Sequence, residues 1–209
     1  MGGFAYSDGL EAAASAGAVS VDDLREWLDV CLDETFAHLE GPAVRRAWEA
    51  VAASDWRTLE SVDRELIAFR SSSTGRRASR AMGHRLVTTW QAIHPSPRLE
   101  PLLASIDAGT LAPALPVAFG SVCAASGIAR REAIEGYAYT RLAATISSAM
   151  RLMRVGQIAG HQLLARALGR VPPLVDAIET STAPLESFSP LMDIAAMTQQ
   201  YLESRLFQS

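Results

Sequence analysis

The chain has 209 residues, 49% hydrophobic, 20% charged and only 7% aromatic, with a formal net charge of -4. Those numbers suit one domain with a real core, and the acidic balance excludes a global basic field that would recruit nucleic acid or anionic lipid. All 19 basic residues are arginine, which excludes any mechanism built on a lysine Schiff base or a phosphate-loop lysine.

Alanine is abundant and β-branched residues are few, a composition that favours helix over strand. In chain order, a short helix is expected from Asp8 to about Gly17. Ser20 then caps VDDLREWLDVCLDETFAHLE, with Asp22 and Asp23 in the favourable acidic first turn and Leu24, Leu28, Cys31, Leu32 and Phe36 as its apolar stripe. Gly41-Pro42 punctuates, and Pro42 suits the first turn of the next helix, which carries Val44, Trp48 and Val51. Asp55 opens a helix with Leu59, Val62, Leu66, Ile67 and Phe69. An arginine-bearing stretch, SSSTGRRASRAMGHRLVTTW, leads to a proline break at HPSPRLEP, and a short helix follows over 99–106.

Residues 108–129 carry no charge and match a bilayer in length, but Pro113, Pro116, Gly120 and Gly127 weaken the hydropathy. A buried, closely packed helix starting near Pro116 is expected there, not a membrane span. The 131–153 helix has one face of Ile134, Ala138, Leu142, Ile146 and Met150 and another of Gly136, Thr140, Ala143, Ala144 and Ser147. That pairing of large and small faces predicts a central element packed on both sides. A helix over 158–168 is expected to stop at Gly169 and Pro172-Pro173. The last one, from Ser189 and Pro190, is amphipathic. Strand-like alternation, repeats and linkers are lacking, so the expected fold class is all-α: a single-domain helical bundle of about ten helices.

Chemistry-bearing constellations are sparse. His38, His84, His94 and His161 are scattered, and Cys31 and Cys123 each fall in apolar helical context, where free cysteine acts as a small buried hydrophobe. With no signal segment at the start, this predicts a cytoplasmic setting. No zinc-protease, nucleophile-elbow or phosphate-loop motif occurs, so a non-enzyme is expected. Asp22, Asp23, Glu26, Asp29, Asp33 and Glu34 read as a solvated face. Arg70, Arg76, Arg77, Arg80 and Arg85 form a run with no acid between Glu65 and Glu100. It reads as a solvated face or a face for an acidic partner before it reads as a phosphate contact.

Three stretches, in order, resemble the family of the urease accessory protein UreF: GGFAYSDGLE at residues 2–11, MRLMRVGQ at 150–157, and the closing SPLMDIAAMTQQYLESRLFQS. The resemblance spans essentially residues 1–209 as a single UreF-like domain, with the family's usual N-terminal extension missing ahead of Met1. It implies a dimer-forming, non-catalytic chaperone of nickel insertion into urease. Such proteins bind UreD (also called UreH), recruit the GTPase UreG, and regulate GTP hydrolysis and nickel delivery to the urease apoprotein. A diverged helical interaction or regulatory protein without a urease role is the alternative. Nickel would be handled by the complex, with no cofactor bound stably by this chain, and neither nucleic acid nor membrane as a partner. Carried onto this sequence, the motifs make Phe4, Tyr6, Ser7, Glu11, Arg151, Gln157, Ser204, Arg205, Leu206 and Phe207 the expected partner-binding residues. The chain departs from the pattern at Gln199-Gln200, where the family commonly has His-Glu, and at Arg154, where it commonly has proline.

Overall fold

The computed structural model describes residues 9–17, 20–202 and 206, and among these the fold is all-α. In chain order the helices are α1 (Leu10–Ala16), α2 (Val21–Val30), a π-helical segment (Cys31–Glu40), α3 (Gly41–Ala52), α4 (Trp56–Ala68), α5 (Ser73–Ile93), α6 (Glu100–Asp107), α7 (Leu115–Ala125), α8 (Arg130–Leu152), α9 (Gln157–Leu168), α10 (Val171–Thr180) and α11 (Pro190–Thr198). Short 3-10 turns precede α6 (Pro97–Leu99) and follow α11 (Gln199–Tyr201).

The caps expected at Ser20 and Asp55 are in place, while Ser189, the expected cap of α11, stands at its N-cap position without a side-chain hydrogen bond to the helix. Ser20 accepts from the Asp23 N–H while the Asp23 carboxylate accepts from the Ser20 N–H, a reciprocal capping box. Asp55 accepts from the Thr58 N–H at 3.0 Å. One boundary differs from the sequence expectation. Gly41-Pro42 does not break the chain: α2, the π segment and α3 run without interruption from Val21 to Ala52. The wide turns make this possible, with the Gly41 N–H reaching back to the Phe36 carbonyl. Pro42 has no N–H to donate into the preceding turn, and the His38 carbonyl there accepts the Glu186 N–H at 3.2 Å instead. Helix α9 ends at Leu168, just before Gly169, as expected, and Pro172 and Pro173 open a further helix, α10, that the sequence reading does not include. They lie in the first turn of α10, where their missing N–H groups cost nothing.

Two apolar clusters form the interior. One surrounds α8, joining Leu24, Leu28, Leu32 and Phe36 to Ile134, Tyr137, Leu142 and Ile146, and to Val175 and Ile178 of α10. The other surrounds α7, joining Val117 and Val122 to Val51, Leu59, Leu66, Val87 and Leu102. Trp48 touches both clusters, and its indole N–H donates to the Ile128 carbonyl at 2.9 Å. The uncharged 108–129 stretch thus supplies a buried helix, and among the described residues no helix is long and apolar enough to cross a membrane. Close approach makes that burial possible. A Cβ on Gly120 would stand 2.3 Å from the Val44 carbonyl oxygen of α3.

Helix α8 packs against α1, α2, α3, α7, α9 and α10, and its large-residue face is buried. The small-residue face, which also includes Ser148, is covered in part: Ser148 is buried, Gly136, Ala143, Ala144 and Ser147 are half-buried, and Thr140 and the neighbouring Tyr139 are exposed. The expectation of packing on both sides is corrected accordingly.

Candidate functional site

The charged clusters singled out in the sequence are largely consumed by the fold. Arg70 pairs with Glu40, a carboxylate only 1% exposed that also meets Arg141 at 3.0 Å. Arg76 donates to the Arg70 and Ser71 carbonyls at the end of α4. Arg80 donates to the Ala112 carbonyl and lies 3.6 Å from Asp63. Three of the five arginines therefore hold α4, α5 and the α6–α7 connection together instead of forming a solvated face. The acidic face of α2 is solvated at Asp22, Asp23 and Glu26 as expected, but Arg170 clamps Asp29 and Asp33, each at 2.6 Å, and ties the α9–α10 corner to α2 and the π segment.

The interior chemistry is inert. Cys31 and Cys123 are buried and unbridged, and burial pushes the Cys123 thiol up to about 11. Among the described residues no three His, Cys, Asp or Glu side chains stand together as a metal site. A cavity of about 70 Å³ lies between the π segment, the α4–α5 turn, α8 and α11, lined by Arg70, Ser71, Ser72, Arg141, Ser189 and Asp193 among others. Its size suits a few water molecules, far below the volume of a substrate or nucleotide pocket.

The surface is less bland. Helix α11 reads PLMDIAAMT, with Asp193 its one charge, and Asp193 is engaged by the Ser71 hydroxyl at 2.8 Å. Its inner side buries Met192 and Ala195, and Gln199 in the following turn, against α1 and the start of α5. Its outer side carries Leu191, Ile194 and Met197, continued by Phe188 before the helix and Tyr201 after it. Phe188, Leu191 and Tyr201 are each more than three-quarters exposed, and Ile194 and Met197 about half. Spacings of three and four residues put these side chains on one face. A helix apolar all round is ordinarily enclosed; this one is enclosed on one side.

Of the expected partner-binding residues, Phe4, Tyr6, Ser7, Ser204, Arg205 and Phe207 lie outside the described residues. Glu11 and Leu206 are brought together. The Leu206 N–H donates to Glu11 Oε1, the Leu206 side chain is exposed, and Glu11 itself is 4% exposed. Glu11 therefore lies beneath the surface and not on it. Arg151 and Gln157, both exposed, flank the α8–α9 turn. Sequence reasoning missed the outer face of α11 because an amphipathic reading allows the helix one apolar side, and α11 has two. The signal was the second apolar row, 188–191–194–197–201, beside the buried one.

Fold and surface together define an all-helical protein whose most exposed chemistry is an apolar helix face. A family model described as UreF matches residues 19–168. Over the whole of this chain, the sequence is 31% identical to the urease accessory protein UreF of Azoarcus sp. (strain BH72), covering 90% of that protein. It is 32% identical to UreF of Delftia acidovorans, covering 91%, and 32% identical to UreF of Methylobacterium sp. (strain 4-46), covering 83%. The chain belongs to the UreF family.

Proposed function

We propose that this chain acts as one domain, in the cytoplasm, as a non-catalytic chaperone of urease maturation. It bridges UreD (UreH) and the GTPase UreG, and so regulates GTP hydrolysis and nickel delivery to the urease apoprotein. Family membership supports the urease role. The observation that carries the scaffold reading is the outer face of α11: a row of large apolar side chains in contact with water marks a protein-binding surface. In this reading UreD/UreH covers that face and the exposed Leu206 beside it. Nickel is cargo of the assembled complex. Phe4, Tyr6, Ser7, Ser204, Arg205 and Phe207 are proposed to extend the same assembly surface, and Arg151 and Gln157 to form a second contact at the α8–α9 turn.

A homodimer is part of the proposal, formed where the half-buried small face of α8 surrounds the exposed Tyr139 ring. The test is reconstitution from purified components. The chain is expected to form a complex with UreD/UreH, and UreG to join only when both are present. Retention of UreG at the same level without this chain, or failure of the chain to bind UreD/UreH, would overturn the reading.

A further inference from the structure

Under the apolar face of α11 lies a polar contact that is closed to solvent. Gln199, 1% exposed, accepts the Gly9 N–H on its Oε1 at 3.0 Å and donates from Nε2 to Glu11 Oε2 at 3.2 Å. Glu11 Oε1 accepts the Leu206 N–H. The N-terminal helix α1 is thereby joined both to Gln199, just after α11, and to Leu206. Gly9 makes the approach possible. Its φ is +90°, a conformation that side-chain-bearing residues rarely adopt, and a Cβ there would stand 2.7 Å from the Ala196 backbone nitrogen.

We infer that Glu11 and Gln199 are positioning residues for the α11 face, a buried clasp that fixes which side chains α11 presents to a partner. This rests on the reading of α11 as a docking surface. The physical argument is one of register. Outside this contact α11 is held by the solvent-exposed Asp193–Ser71 hydrogen bond at 2.8 Å and by the buried Met192 and Ala195, a flexible side chain and a small one, which would accept a rotated or shifted helix with little penalty. Buried amide and carboxylate groups resist it, because displacement lengthens or breaks the hydrogen bonds between Gly9, Gln199, Glu11 and Leu206 away from water. Apolar packing therefore holds α11 down, and the clasp is the buried polar contact that sets its rotation, beside the exposed Asp193–Ser71 bond. Partner affinity then depends on two side chains that no partner touches.

The experiment measures affinity for purified UreD/UreH, together with hydrogen exchange of the α11 amides in the free protein. Four proteins are compared: wild type, Gln199→Glu, the Glu11→Gln/Gln199→Glu pair, and Leu191→Asp. Gln199→Glu replaces a donor with an acceptor opposite Glu11. It is expected to lower affinity about tenfold or more and to speed α11 exchange, while the buried amides of α8 stay protected. The reciprocal pair reverses the polarity of the contact and keeps the three hydrogen bonds, so most of both losses should return. Two results overturn the clasp: wild-type α11 exchange in Gln199→Glu, or a reciprocal pair no better than the single variant. Wild-type affinity in Leu191→Asp would instead overturn the docking reading, and α11 exchange alone then decides the clasp.

Discussion

Helices α7 and α11 are written in nearly the same alphabet and meet opposite fates. The first, LPVAFGSVCAA, has no charge and the second, PLMDIAAMT, has one. Helix α7 is surrounded by α3, α4, α5 and α8, and eight of its residues are buried. Helix α11 has α1 and α5 on one side and water on the other, and two of its residues are buried. An apolar helix loses free energy wherever its surface stays wet. In α7 the chain meets that demand itself, with Gly120 letting α3 close to contact distance. In α11 the demand is left open, which is the physical content of the docking proposal.

The comparison is broken most directly by placing the same charge on each helix. Val117→Asp buries a carboxylate among Leu, Val and Ala and is expected to cost at least about 3 kcal/mol, enough to prevent cooperative folding. Leu191→Asp is expected to change stability by no more than about 0.5 kcal/mol, since the side chain is already in water. Urea denaturation of both checks this, and comparable losses would mean that α11 is covered in solution.

The closure of α7 can be tested at Gly120. Gly120→Ala sets a methyl group against the Val44 carbonyl oxygen and is expected to cost about 2–3 kcal/mol. A melting temperature equal to wild type would show that α3 and α7 do not approach as described.

The smallest effect concerns Asp63, which accepts the Ala114 N–H at 2.7 Å just ahead of α7. Burial raises its carboxyl above the usual 3.8, against the lowering effects of that hydrogen bond and of Arg80. The folded state then holds a proton that the unfolded chain has released, so this group's contribution is fully present below pH 3.8 and is lost as pH rises through the folded value. Asp23 and Asp55 act with the opposite sign. Hydrogen bonds from Ser20 and Thr58 hold their carboxyls low, and their contribution is lost as pH falls. They are common to wild type and Asp63→Asn and cancel in the difference. The stability of wild type relative to Asp63→Asn should therefore decline as pH rises above 3.8. A difference that is flat or rises would contradict the burial of Asp63.

Local signals were readable wherever they act over a few residues. Ser20, Asp55 and Pro116 start helices as their types require, and the stripe of Leu24, Leu28 and Phe36 faces the α8 cluster. What escaped was decided by distant neighbours. The Gly41-Pro42 pair reads as a break until the π turns and the Glu186 N–H provide another way to satisfy the backbone. Arg70 and Arg80 read as surface charge until Glu40 and Asp63, 30 and 17 residues away in the chain, are seen beneath them. The site divided along the same line. The motifs that carry Glu11 and Leu206 lie at opposite ends of the chain, and these two residues meet. That Glu11 is buried, and that α11 turns a second apolar row outward, depends on which face α1 occupies, a choice that no local pattern encodes.

The central claim is that the outer face of α11 binds UreD/UreH. Its most direct test is a calorimetric titration of purified UreD/UreH into wild type and into a Leu191→Asp/Ile194→Asp variant whose melting temperature matches wild type. The account predicts a loss of affinity of about a hundredfold or more, the size expected when two central anchors of an interface are removed. Equal affinities for the two proteins would contradict it.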